Sequence, residues 1–235
     1  MIHVRPAAHR GHGDRGGLDS RHAFSSADYH DPRWMGFGPL RVLNEDRLAP
    51  GGTVPPQRRA NMDILCIVLA GTLAHRDSSG GEGVLHPGDV LWLGAGHGIE
   101  HELRNPDPGA SVRFFQAWLQ PDRLNATPAS AQRRFDPESR RACWAVLASP
   151  DGGDGALALR LQAWLRASRL HAGERIEHPL DPARRYWLQV TAGEVEAAGH
   201  QLGAGDALGV EGEAGMLALA GIGDRSEVLL FDLPG

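Results

Sequence analysis

No lysine occurs in the 235 residues, so all 24 basic side chains are arginines. We read that absence as genome composition rather than a phosphate-binding design. Cysteine is nearly absent too: Cys66 and Cys143 cannot form a disulfide framework. Apolar runs stay well short of the ~20 residues that span a bilayer. After Met1 the chain is polar and rich in His, Arg and Gly as far as Ser20, which does not read as a signal peptide. The cytoplasm is the expected compartment. An excess of positive charge is also missing. The net charge of -5 gives no footprint for nucleic acid or an anionic membrane.

What is present points to strands. The 31 glycines and 16 prolines supply many turns, and 41% hydrophobic with 23% charged residues is ordinary for a globular protein. The length allows one large or two small domains. Leu40 to Asn44, Met62 to Leu69, Thr72 to Arg76, Val90 to Leu93 and Val112 to Leu119 read as strands. In the last of these, Phe115 and Ala117 alternate with Phe114, Gln116 and Trp118. The polar, proline-bearing stretch Pro121 to Pro137 reads as a linker, with a helical turn around Ala129 to Arg134.

The second half repeats the first. Ile67 to Gly71, Pro87-Gly88-Asp89 and a strand ending just before Pro121 find counterparts in the second half. Those are Leu188 to Gly193, Ala204-Gly205-Asp206 and a strand ending just before Pro234. One supersecondary plan used twice is the expectation. The domains are expected at residues 1–125 and 126–235.

Gly51 to Gly71 and Gly96 to Asn105 have the layout of the two halves of a cupin metal motif, with its ligands replaced. Gln57 and Arg59 occupy the first two ligand positions, while Asp63, Gly71, His101 and Asn105 keep the frame. Non-haem metal catalysis needs several imidazoles or carboxylates converging on one cation. Arg59 is permanently protonated and repels a cation, and Gln57 offers one weak oxygen. His101 is the residual metal candidate. Glu102, one residue on, should point away from it if both lie on a strand, and His97 sits in a glycine loop.

Arg21 to Tyr29, Asp31-Pro32, Met35 to Gly38, Leu40 to Asp46, Met62 to Leu65, Gly71-Thr72 and Gly98-Ile99 are similar to segments of the pirin family. The resemblance spans roughly the first 120 residues. It implies an all-β bicupin, two tandem jelly-roll barrels. It also implies a cation of the Fe type held by three histidines and a glutamate, whose positions fall on Gln57, Arg59, His101 and Leu103. Some members are quercetin 2,3-dioxygenases, and a eukaryotic branch acts as a nuclear transcription cofactor. Within the family the chain looks most like the metal-free, YhaK-type bacterial branch.

The expected function is therefore a non-catalytic, metal-free, small-molecule or redox-responsive binding protein that is quercetinase-like in fold. Gln57, Arg59, Asp63, His101 and Leu103 would line its pocket and take a small carboxylated or phenolic ligand, or Arg59 would pair internally with Asp63 or Glu102. Cys143, near Arg140 and Arg141, is the better redox-thiol candidate; Cys66 between Ile64 and Val68 reads as buried and inert. The alternative is a quercetin 2,3-dioxygenase-type oxygenase using Fe or another divalent transition metal. There, His101 survives and Glu102 or His97 substitutes for lost ligands. Tyr29, Trp34 and Phe37 are expected to pack at the barrel base. An N-terminal strand through Ile2 and Val4 would tuck onto the other half. Glu174, Glu177 and His178 stand where the second half would carry its first ligands, without later imidazoles to complete a site.

Overall fold

Near-continuous apolar runs at Asp63–Ala70 and Asp89–Gly94 form strands whose two faces are both covered. The computed structural model describes all residues, Met1–Gly235. Its strands are β1 (Ile2–Arg5), β2 (Gly11–Arg15), β3 (Leu18–His22), β4 (Leu40–Leu48), β5 (Thr53–Arg59) and β6 (Asp63–Ala70). They continue with β7 (Leu73–Asp77), β8 (Glu82–Leu85), β9 (Asp89–Gly94), β10 (Ile99–Arg104), β11 (Val112–Leu119) and β12 (Ala129–Arg134). Next come β13 (Ala145–Ser149), β14 (Leu157–Ala158), β15 (Trp164–Leu170), β16 (Arg175–Leu180) and β17 (Arg184–Ala192). The chain ends with β18 (Glu194–Ala197), β19 (His200–Gly203), β20 (Ala207–Glu211), β21 (Gly215–Gly221) and β22 (Ser226–Pro234). Three short 3-10 turns are the only helical segments, and no helix is long and apolar enough to cross a membrane.

Two units result. The first comprises Gly11–Phe135 with Leu157–Leu161; the second comprises Met1–Arg10, Asp136–Ala156 and Gln162–Gly235. In the first, a large sheet runs β12-β9-β6-β11-β4-β3-β2, and a small one runs β5-β10-β7-β8. In the second, the order β20-β17-β22-β15 repeats β9-β6-β11-β4, and β16-β21-β18-β19 repeats β5-β10-β7-β8. The duplicated all-β plan expected from the sequence is the observed one.

The turns repeat as well. Gly71 (φ 80°) and Gly193 (φ 69°) both close a hairpin in left-handed backbone. A Cβ on Gly71 would lie 2.9 Å from Val112 Cα, and one on Gly193 would lie 2.7 Å from Ser226 Cα. Only glycine fits either place. Asp89 and Asp206 lock the next turn alike, accepting from His86 N and Gly203 N at 2.8 Å each.

Two segments depart from the sequence reading. Ala129–Arg134 is strand β12, paired antiparallel along β9 from Gly94 to Asp89, and not a helical turn in a linker. Its backbone groups find partners on β9, and its mostly exposed polar side chains hide that edge-strand role in the sequence. The boundary expected between residues 125 and 126 consequently falls inside the first unit. The N-terminal strand forms as anticipated: β1 pairs with β20 from Ile2↔Val210 to Arg5↔Ala207. Each unit then buries its own core, one around Ile64, Cys66, Leu91 and Phe114, the other around Leu188, Val190, Leu208 and Leu230.

Candidate functional site

In the small sheet of the first barrel, β10 pairs with β5 so that His101 lies opposite Gln57 and Ile99 opposite Arg59. The register shifts between His101 and Leu103. Gln57, Arg59, His101 and Leu103 all border one cavity of about 700 Å³. Four of the expected pocket positions are therefore together. A volume of this size suits a small organic ligand.

Asp63 is not with them. It starts β6, is 0% exposed, and accepts a hydrogen bond from Arg160 N at 2.7 Å. It is a buried anchor for the segment carrying Arg160, so its place in the expected pocket set is corrected. Burial raises its carboxyl above the usual range, against that hydrogen bond. Arg59 pairs with neither Asp63 nor Glu102. Glu102 sits opposite Arg76 on β7 and does not border the cavity, as strand alternation requires.

What holds Arg59 instead is uncharged. Its Nη2 donates to Gln57 Oε1, its Nη1 donates to Arg58 O at 3.0 Å, and its guanidinium lies 4.7 Å from the Trp118 ring centre. Its buried Nε has no partner. Burial lowers its pKa with no carboxylate nearby to offset the effect. The group still stays charged at neutral pH. A cation on an aromatic face gains about 1–2 kcal/mol, less than a proper counter-ion supplies.

His101 is 5% exposed, and neither ring nitrogen has a partner. Burial pushes it down to about 4, helped by the positive charge of Arg59 and by His75 and opposed by Asp77. Near neutral pH it is an uncharged imidazole beside a guanidinium. His97 is exposed and does not border the cavity.

Sequence reading missed the opposite wall. Leu40, Val42, Asn44, Asp46 and Leu48 share the inward phase of β4, and Asp46 is 1% exposed on the cavity wall. Ser20 Oγ donates to its Oδ1 at 2.6 Å, and Gln116 Nε2 donates to its Oδ2 at 2.7 Å. Burial pushes this carboxyl up to about 6; the two hydrogen bonds pull it back, and the charges of Glu45 and Asp19 add to the rise. Beside it, His22 Nδ1 and Asn44 Oδ1 lie 2.9 Å apart, and the Tyr29 ring stacks on His22 at 6.3 Å. Tyr29 borders the cavity, so it is pocket wall and not base packing. Trp34 does pack as expected, 6.5 Å from Phe24. The available signal was a carboxylate on the apolar phase of a strand.

A transition metal does not fit this donor set. Among the four ligand positions only His101 carries an imidazole, the Gln57 oxygen is taken by Arg59, Leu103 donates nothing, and a fixed cation holds the remaining position. No group of three or more His, Cys, Asp or Glu side chains is arranged to hold a metal ion. In the second barrel, Glu174 is engaged by Arg141 at 2.9 Å and by His171 N, and the Glu177 carbonyl accepts from the Trp144 indole.

The thiols differ. Cys66 is buried, and burial together with the Asp46 charge pushes it up to about 12. Cys143 is exposed and its Sγ donates to Ser139 O at 3.2 Å. The arginines beside it in sequence face carboxylates: Arg141 reaches Glu174 at 2.9 Å and Arg140 reaches Glu227 at 3.6 Å.

Comparison with known proteins covers the whole chain. Residues 3–119 match the family model described as Pirin, and residues 146–233 match the quercetinase C-terminal cupin domain. A protein named quercetin 2,3-dioxygenase from Escherichia coli is 37% identical over 234 residues, covering 100% of this chain and 99% of the relative. The pirin-like protein YhaK of the same species is 32% identical over 239 residues, with 100% of both covered. The crystal structure of bacterial pirin YhhW from E. coli in complex with nickel(II) matches with a TM-score of 0.93 at 37% identity, covering 100% of this chain and 99% of that one. The E. coli YhaK structure matches with a TM-score of 0.74 at 31% identity, covering 90% and 92%. YhaK thus stands among the relatives, while the superposition is tighter on YhhW.

Proposed function

The chain belongs to the pirin family of bicupins, and from that premise we propose that its first barrel binds a small carboxylated or phenolic ligand without a resident metal. One observation carries this reading. Arg59 is a cation on the cavity wall, with no carboxylate to neutralise it and a buried Nε left open. Where the family pattern places a metal ligand, this chain has a permanent positive charge. An acidic oxygen of a ligand would supply the missing anion, forming charge-assisted hydrogen bonds to the guanidinium. His101 would offer a neutral donor or acceptor from the same side, and Trp118 and Tyr29 would offer aromatic faces. Such a pocket recognises and holds, and no reaction step follows from it.

A second reading, a metal-dependent quercetin 2,3-dioxygenase, is favoured by two findings. A relative 37% identical over its full length carries that name, and the YhhW structure contains nickel(II). Purification without an affinity tag, followed by elemental analysis and oxygen uptake with quercetin, separates the two. The binding reading expects no stoichiometric transition metal and no oxygen consumption. It also expects saturable tryptophan quenching by quercetin that weakens at least tenfold in Arg59→Met. One metal ion per chain with quercetin-dependent oxygen uptake would replace it with the oxygenase reading.

A further inference from the structure

The cavity has a second charged pole. On β11, Gln116 and Trp118 lie two residues apart and face the same side, so their levels are separated by about 7 Å. Trp118 carries the Arg59 guanidinium on its ring, and Gln116 donates to the Asp46 carboxyl. One level therefore ends in a cation and the next in a carboxyl group. The spacing equals roughly the length of one substituted benzene ring.

Asp46 has acceptor capacity to spare. A carboxylate offers about four lone-pair sites, and Ser20 and Gln116 use one on each oxygen. No salt bridge reaches it, and its charged neighbours Glu45 and Asp19 carry the same sign. The remaining groups around it are the hydrogen-bonded His22–Asn44 pair and the buried Cys66 thiol. A buried carboxyl with no counter-ion is costly to maintain. The fold stabilises it with two local donors only, on a wall that a ligand can touch.

Resting on the proposed Arg59 contact, we infer that this pocket selects planar aromatic ligands bearing an acidic oxygen at one end and an uncharged hydroxyl at the other. The hydroxyl donates to Asp46 while the acidic oxygen accepts from Arg59, with the ring between Tyr29 and Trp118. A monofunctional aromatic acid satisfies one pole and leaves the other desolvated, so it binds more weakly. Specificity of this kind exceeds what shape alone gives, because the unpaired pole penalises the wrong ligand.

Calorimetric titration of the full-length protein with four probes tests this: benzoate, 3,4-dihydroxybenzoate, 3,4-dimethoxybenzoate and 4-(aminomethyl)benzoate. In the wild type, 3,4-dihydroxybenzoate should bind at least tenfold tighter than the other three. Asp46→Asn should erase that preference, bringing 3,4-dihydroxybenzoate and benzoate within about twofold of each other, and Arg59→Met should weaken all four. Equal affinity for dihydroxybenzoate and benzoate, unchanged by Asp46→Asn, overturns the inference while a loss in Arg59→Met keeps the first pole. Tightest binding of 4-(aminomethyl)benzoate also overturns it, since Asp46 would then be reading a cation. Affinities unaffected by Arg59→Met, or no binding of any probe, overturn both the inference and the reading beneath it. Circular dichroism of each variant, with thermal unfolding, separates lost contacts from lost fold.

Discussion

The two barrels share one strand plan and treat their buried charges in opposite ways. In the second, Asp232 is clasped by Arg166 at 3.0 Å and Arg184 at 2.5 Å, and Arg184 lies 4.8 Å from the Trp164 ring centre. His178 sits 3.8 Å from the same carboxylate, edge-on to Trp144 and Tyr186. Each charge there has an opposite charge beside it. In the first, Arg59 and Asp46 border one cavity, and neither has an opposite charge bound to it. Neutralised charge holds a fold together, whereas charge left open on a cavity wall can pair with a group from outside the chain.

The largest expected effect tests that contrast directly. Asp232→Ala strands Arg166 and Arg184 without an anion and should cost about 3–4 kcal/mol in urea unfolding. Arg59→Met should stay within about 1 kcal/mol of wild type, since it removes a half-buried cation that has no anion to lose. Equal losses would mean that Arg59 is structural after all, and the contrast between the barrels would disappear.

Next in size is a pH effect with two opposing signs. The folded pKa of Asp46 lies at about 6, above its ordinary value of 3.8. Between these limits the folded state holds the extra proton, so its contribution to stability falls as pH rises through that window and is flat above it. Asp46→Asn should raise stability at pH 7 by about 3 kcal/mol and remove this loss. His101 and His178, both pushed down to about 4 from 6.5, act oppositely. Their burial favours the neutral form, so stability falls as pH drops from about 6.5 toward 4. In Asp46→Asn the contribution opposing the histidines is gone, and the loss on acidification should steepen. Chemical denaturation at pH 4.5, 5.5 and 7 reads both slopes; identical profiles for variant and wild type would show that Asp46 is solvated.

A smaller effect reaches the cavity through a glycine. A Cβ on Gly11 would lie 2.2 Å from Tyr29 Cγ, and Tyr29 is the ring stacked on His22. Gly11→Ala should push that ring aside, lower stability by about 1–2 kcal/mol and weaken aromatic probes severalfold. A glycine in the second barrel with open space around its Cβ position, such as Gly199, cannot serve as control because its φ is 76°. Gly109, whose nearest neighbour would be Asp107 Oδ1 at 3.6 Å, can.

The sequence made some parts of this molecule easy to read and others hard, for a physical reason. Strands β6, β9 and β11 are apolar on both faces, and turns such as Pro87-Gly88-Asp89 need specific residue types, so both announce themselves. Strands β2, β3, β5 and β12 are polar and short of apolar alternation, because they lie at sheet edges or border a cavity. Sheet pairing decides them, and pairing is not local. In the pocket, Gln57, Arg59, His101 and Leu103 were found through a motif with fixed spacing. Asp46, Ser20, Gln116 and Tyr29 come from four separate segments that only the fold brings together.

The smallest expected effect concerns the two thiols, which divide between the barrels as the charges do. Cys66 lies in the first core at 0% exposure, and burial with the nearby Asp46 charge pushes it up to about 12. A thiolate is the reactive form, so this sulfur should ignore an aqueous disulfide reagent while the barrel stays folded. Cys143 is exposed, and the arginines next to it in sequence are held by Glu174 and Glu227. It should label in the native state, where Cys66 does not. Cys143→Ser should leave stability within about 0.5 kcal/mol of wild type and reduce native labelling to near zero, with one thiol recovered in denaturant. Native labelling that persists in Cys143→Ser would mean that the reagent reaches Cys66. The first barrel would then open far enough to hydrate Asp46, and its open charges could be solvated by water rather than kept for a ligand.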